Sequence, residues 1–289
     1  MNSANSQLGL LFVTVSAIAW STAGLFTRLI ALDSWTMLVW RGIFGAAGIM
    51  AVMWMMQGRQ SLRGLLHMRT SGWLYVVMGS AGMILFITAL RFTTVAHVAV
   101  IYATVPLIAA CLGWLVMREK PSRSAVIASV AALVGVIVMV GLGLEGGWLG
   151  NLLALGMALC MAALMIMARR FGNIPTMPAA GLSALLSAFL CWPLAQPLSV
   201  TGSDLVLLAL FGVVNSALGM AFFALGARLL PVVQTALIGA LDAPLAPLWV
   251  WLAFGETPCS ATMVRGVIVF AAVTVHMVKS VHETDPRGS

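Results

Sequence analysis

Residues 125–140 read AVIASVAALVGVIVMV, sixteen consecutive positions without a charged side chain. A β-strand that spans a membrane alternates apolar and polar residues, whereas a helix in lipid can be apolar on every side. About 20 such residues cross the hydrocarbon core of a bilayer, and windows of that length recur along the chain. The run therefore predicts one membrane-spanning helix among several.

The composition also indicates lipid, not water, as the solvent. The 289 residues are 62% hydrophobic and 8% charged, whereas typical soluble domains have about 45–50% apolar and about 25% charged residues. We predict an all-α integral membrane protein with ten spans and no soluble domain. The predicted spans are 8–30, 35–56, 72–91, 95–117, 124–142, 149–168, 178–196, 205–227, 232–254 and 261–280. The first span lacks a cleavage site after a short apolar core, so we expect it to stay in the mature protein.

The distribution of basic residues predicts the orientation. If the N-terminus is cytoplasmic, eleven of the 15 Lys and Arg residues fall on the cytoplasmic side and at most four on the other. Cytoplasmic loops are enriched in Lys and Arg. We therefore expect both termini in the cytoplasm of a bacterium whose inner membrane holds the protein. The net charge of +7 is then a topology signal, and we expect no nucleic-acid partner.

The two halves of the chain contain similar segments in the same order. The matched segments are 9–28 with 150–169, at an offset of 141 residues, and 89–91 with 226–228 and 118–121 with 255–258, both at an offset of 137. We predict two repeats, 1–143 and 144–289, of five helices each. An odd number of spans places the second repeat upside down in the membrane. Inverted repeats are typical of transporters, with a substrate site near the midplane.

Four short sequence features, together with the ten spans in two sets of five, are typical of a known family. They are an Arg early in span two (Trp40-Arg41), a Pro in span four (Pro106), the span end Glu119-Lys120-Pro121 and its counterpart Gly255-Glu256-Thr257-Pro258. In these features the chain resembles the drug/metabolite transporter superfamily of EamA type, and overall it is most similar to the bacterial YddG-type exporters of aromatic amino acids. The resemblance implies two inverted five-helix repeats around a central cavity and export of small metabolites, such as aromatic and other neutral amino acids.

Asp242 is the first candidate site residue, because it lies at the centre of span nine. A carboxylate at the bilayer centre normally faces a cavity or a partner. We expect Pro244 and Pro247 to kink or unwind the helix after it, and Pro106 lies within one residue of the position that is equivalent to Pro244 in the first repeat. Asp242 is interpreted as a substrate-ammonium contact, a proton-coupling site or a gate element, or else as a structural carboxylate bonded to neighbouring helices.

Four further residues near the middles of spans are candidate substrate contacts. An amide or hydroxyl at Asn215 or Ser80 can bind a polar substrate group or tie two helices together. Trp20 and Tyr102 suit a pocket for a flat apolar side chain, although core packing explains them equally well.

Two residues are candidate gate elements. Arg41, the span-two arginine of the resemblance, is predicted to form a structural or gating ion pair and not a direct substrate contact. His97 opens span four as a gate or proton relay, or as an interfacial histidine.

The leading hypothesis is a secondary transporter that works by alternating access on an amino-acid-like small molecule. Other hypotheses are an exporter of amphipathic drugs, an intramembrane enzyme acting on a lipid-linked substrate, and a channel. The sequence lacks the H-E-x-x-H and G-x-S-x-G motifs and the rings of like charge that an enzyme or a channel favours. We expect no enzymatic activity, no cofactor and no metal site. The oligomeric state and the energy source stay open.

Overall fold

The computed structural model describes residues 3–58, 68–102, 104–118, 130, 147–171, 174–226, 229, 238–239 and 241–255. No β-strand occurs within these ranges. The helices are α1 (Ser3–Ser21), α2 (Ala23–Leu29), α3 (Ser34–Gln57), α4 (Thr70–Phe92), α5 (Val95–Tyr102), α6 (Val105–Met117), α7 (Trp148–Arg170), α8 (Thr176–Cys191), α9 (Gly202–Phe211), α10 (Gly219–Gly226) and α11 (Asp242–Phe254). A 3₁₀ turn follows α8 at Trp192–Leu194, and a π-helical segment, Gly212–Leu218, joins α9 to α10.

Six stretches in the described part of the chain are long and apolar enough to cross a membrane. They are Gln7–Leu29, Ser34–Met56, Thr70–Phe92, Trp148–Ala168, Thr176–Leu194 and Gly202–Gly226. Each coincides with one of the ten predicted spans. The predicted spans 124–142 and 261–280 lie outside the described residues, apart from residue 130, and span nine is described only at 238–239 and from 241 onward. The described part of the chain is therefore all-helical, and its six long apolar stretches are those of a multi-pass membrane protein.

Local chemistry accounts for several helix ends. The Asp33 carboxylate accepts a hydrogen bond from the backbone N–H of Thr36 at the start of α3, and Thr201 and Asp204 cap the start of α9 reciprocally. Both devices bond N–H groups that lack a partner in the first helical turn. At the other ends, Gly58 and Gly255 have positive φ angles, a conformation that stops a helix and suits glycine.

The outer surface is apolar, as lipid contact requires. Many large hydrophobic side chains are exposed, among them Met55, Leu115, Phe189 and Val206. Exposed tryptophans lie close to helix ends and not at helix centres: Trp54, Trp73, Trp114, Trp148 and Trp192. Tryptophan is enriched at the two membrane–water interfaces. The surface therefore has a lipid-facing band with aromatic side chains near its edges.

The helices pack around a central space. Helix α3 lies against α8 and the π-helical segment, α4 lies against α7 and α8, and α1 lies against α10 and α11. Helix α7 also contacts α5 and α6, and α11 contacts α2 and α5. Small residues allow the closest of these approaches, as where Gly212 meets the backbone of α3. The helices that surround the centre therefore come from both halves of the chain.

Candidate functional site

A cavity of about 310 Å³ lies between these helices. Small-molecule pockets have volumes of about 300–1,000 Å³, so this cavity matches a compact ligand. Eight of its 24 lining residues are aromatic or thioether side chains, and these are Trp20, Tyr75, Met83, Phe86, Tyr102, Met157, Met161 and Met220. Its polar side chains are fewer, and they are Ser21, Arg41, Ser183, Asn215, Ser216 and Asp242. Such a wall offers flat apolar contacts and a few fixed polar ones.

The cavity brings together four of the five predicted substrate contacts. Trp20 comes from α1, Tyr102 from the last turn of α5, Asn215 from the π-helical segment and Asp242 from the first turn of α11. Arg41 of α3, which was predicted as a gate element, also lines it. Residues that are up to 222 positions apart in the sequence therefore share one site.

Arg41 and Asn215 form the polar centre of one wall. Arg41 Nη2 donates to Asn215 Oδ1 at 3.0 Å, and Asn215 Nδ2 donates to the carbonyls of Ala19 and Trp20 at 3.3 and 3.1 Å. The Arg41 guanidinium also lies 4.7 Å from the centre of the Phe211 ring, a cation–π distance. The amide therefore links α3, α1 and the π-helical segment.

Another part of the site is built around α11. Asp242 is half-buried at the first position of this helix, where the positive end of the helix dipole stabilises a negative charge. One turn beyond the cavity, Trp249 Nε1 donates to Ser21 Oγ at 2.7 Å and fixes α11 against the end of α1.

Two other predicted residues lie elsewhere. The buried hydroxyl of Ser80 donates to the carbonyl of Ser183 at 2.8 Å, so it joins α4 to α8 and is not part of the cavity lining. His97 lies in the first turn of α5, where its backbone N–H and its ring Nδ1 both contact the hydroxyl of Thr94. This geometry is that of a helix cap.

The predicted proline positions coincide with helix starts. Pro106 is the second residue of α6, which begins directly after a turn at Thr104. Pro244 is the third residue of α11, and the helix continues through Pro247 to Phe254. A proline in the first turn removes an N–H that has no helical partner. Helix α11 therefore does not unwind after Asp242, as the prolines predicted. It begins at Asp242, after a turn at Leu241.

Sequence reasoning did not single out Ser21, Ser183 or any individual methionine of the cavity. Serines in membrane helices usually bond their own backbone, as Ser183 does through the carbonyl of Ala179, so a serine in a span does not mark a cavity. The methionines are equally uninformative because apolar residues surround them on every side of the helix. The π-helical segment also has no sequence signature, although such segments are frequent at functional sites.

The chain matches a transporter family in sequence and a solved structure in fold. The family model described as the EamA-like transporter family matches residues 7–141 and again residues 148–278. An uncharacterized transporter of Bacillus subtilis (strain 168), YwfM, is 28% identical over 204 residues, which are 66% of each of the two chains. A crystal structure of a protein with 18% identity superimposes with a TM-score of 0.74, covering 99% of this chain and 100% of that one.

Proposed function

The chain belongs to the EamA-like transporter family, and we propose that this membrane transporter exports aromatic and other neutral amino acids from the cytoplasm by alternating access. The observation that carries the proposal is the central cavity, where Arg41, Asn215 and Asp242 stand among aromatic and methionine side chains. The positive charge of Arg41 on α3 and the negative charge of Asp242 on α11 suit the two ends of a zwitterion. The aromatic and methionine side chains suit an apolar substrate side chain.

An inverted duplication is part of the proposal, and helix boundaries support it. At an offset of 137 residues, the start of α6 at Val105 corresponds to the start of α11 at Asp242, and the ends, Met117 and Phe254, also correspond. The next residues, Arg118 and Gly255, both have left-handed backbone angles. One family model matches two successive stretches of the chain, which also supports a duplication.

Equivalent positions of the two halves also line the cavity in pairs. At an offset of 141, Trp20 corresponds to Met161 and Ala23 to Leu164. At an offset of 137, Gly79 corresponds to Ser216 and Met83 to Met220, and all eight residues line the cavity. Contacts between helices recur likewise, since α1 lies against α10 as α7 lies against α4. These pairings support a site on an axis that relates the halves.

The helix starts at Val105 and Asp242 supply the moving elements of the mechanism. Each lies beside the cavity where the backbone is not continuously helical, and such breaks are tolerated in membranes where they line a cavity. Rotation of one half against the other at these points opens the cavity to the cytoplasm and then to the opposite side. Pro106 and Pro244, in the first turns, keep the two helices from extending backwards across the breaks.

The proposed location is the inner membrane of a bacterium, with both termini in the cytoplasm. The excess of Lys and Arg in alternate loops supports this orientation. Substrate then enters the cavity from the cytoplasm, where amino acids accumulate, and leaves on the opposite side.

Transport by the purified chain in liposomes tests the proposal. We expect saturable flux of labelled phenylalanine, inhibition by unlabelled tryptophan, and accelerated exchange when unlabelled phenylalanine is present on the opposite side. Liposomes without protein are the control for leakage. Absence of saturable flux for every neutral amino acid, from protein shown to be folded, contradicts the proposal.

A further inference from the structure

Arg41 has more hydrogen-bonding capacity than its surroundings use. The residue is 6% exposed, and its Nε is buried without a hydrogen-bond partner. One terminal nitrogen donates to the Asn215 amide, and the ring of Phe211 lies 4.7 Å from the guanidinium. Neither partner is charged. Within the described ranges, no carboxylate forms an ion pair with Arg41.

A buried guanidinium without an anion is an unfavourable arrangement. Moving a charge out of water costs several kcal/mol after relaxation, and only a close opposite charge offsets this. The guanidinium presents its donors in a rigid plane that matches the two oxygens of a carboxylate. Of the eight acidic residues in the chain, only Asp242 falls inside a predicted span. The protein therefore offers few anions of its own at this depth.

From this geometry we infer that Arg41 binds the carboxylate of the transported molecule, with Nε as one of the donors. The inference rests on the proposed function, because it names the residue that recognises one end of the substrate. Asn215 holds the far side of the guanidinium, and Phe211 fixes its plane. Asp242, on another helix, faces the ammonium end. Arg41 is thus a specificity-determining residue: it attracts α-amino acids and repels amphipathic cations that have no carboxylate.

Three compounds that share a phenyl ring separate the contributions of the two substrate ends. They are phenylalanine, 3-phenylpropionate and 2-phenylethylamine, and their Kd values are measured with the full-length chain in detergent. We expect the wild type to bind phenylalanine at least about tenfold more tightly than 2-phenylethylamine, because hydrogen bonds to charged groups contribute about 1.5–3 kcal/mol. In Arg41→Gln, phenylalanine binding should weaken to the level of the amine, while amine binding stays the same or strengthens.

Two further variants make the result specific. Arg41→Lys keeps the charge without the planar fork, so it should recover part of the preference for the carboxylate. Arg170→Gln removes an exposed positive charge at the end of α7 and should leave the preference unchanged. If Arg41→Gln does not fold, Arg41→Lys still tests the inference. A preference for phenylalanine over 2-phenylethylamine as large in Arg41→Lys as in the wild type would overturn a bidentate contact between the Arg41 guanidinium and the carboxylate.

The possible failures are distinguishable. If the wild type transports phenylalanine and Arg41→Gln retains the full preference for it over the amine, the inference about Arg41 is wrong and the proposed function stands. If the wild type neither binds nor transports any of the three compounds, the proposed function is wrong and the inference falls with it.

Discussion

Replacing Asp242 by Asn is expected to raise the KM for zwitterionic amino acids about tenfold to a hundredfold. The substitution keeps the shape of the side chain but removes the charge that we propose faces the substrate ammonium. Hydrogen bonds to charged groups contribute about 1.5–3 kcal/mol, and each 1.4 kcal/mol corresponds to about a factor of ten in affinity. Initial rates of labelled phenylalanine uptake into liposomes, measured over a range of substrate concentrations and pH values, give this KM.

A matched substitution separates this effect from a general loss of charge. Asp204 lies in the exposed first turn of α9 and takes part in a helix cap. Because Asn also caps helices well, Asp204→Asn should transport as the wild type does. A folded Asp242→Asn protein with wild-type KM and rate at every pH removes Asp242 from the site.

Replacing Gly212 by Ala should destabilise the protein by about 1–3 kcal/mol or more, as overpacking of a close contact does. A Cβ atom at this position would lie 2.7 Å from the backbone nitrogen of Gly45 and 2.9 Å from the carbonyl oxygen of Arg41. Neither backbone group can move without displacing α3. The Asn215 amide, three residues along, would then lose its alignment with Arg41. The thermal unfolding midpoint in detergent should fall, and phenylalanine binding should weaken with it.

Gly202 provides the control for this substitution, because it lies in the same membrane span and has open space around its Cβ position. Gly202→Ala should be neutral or slightly stabilising, since alanine is favoured over glycine in a helix by about 0.5–1 kcal/mol. Equal unfolding midpoints for Gly212→Ala and the wild type would mean that α3 and the π-helical segment are not in close contact.

The positions of the membrane helices were largely predictable from the sequence. Span two was predicted at 35–56 and is found at Ser34–Met56, and span six was predicted at 149–168 and is found at Trp148–Ala168. This accuracy has a simple cause. The thickness of the hydrocarbon core sets the length of each apolar run, so the run itself marks the helix.

The arrangement of the helices around the cavity was less predictable. A span that is apolar on every side does not indicate which face meets lipid and which meets another helix. Only rare polar or aromatic residues near the middle of a span indicate an inward face. Trp20, Tyr102, Asn215 and Asp242 were selected for this reason, and all four line the cavity. Ser80 has the same signature but bonds the Ser183 carbonyl, because a hydroxyl can satisfy itself between two helices as well as in a cavity.

The π-helical segment determines how one membrane span serves two neighbours. A π turn contains about one residue more than an α turn, and one residue corresponds to about 100° of rotation around the axis. The helical phase therefore changes between α9 and α10. In accordance with this change, α9 lies mainly against α3 and α10 mainly against α1. The extra residue of the π-helical segment thus rotates α10 relative to α9. Asn215 lies within this segment, where α1 and α3 converge.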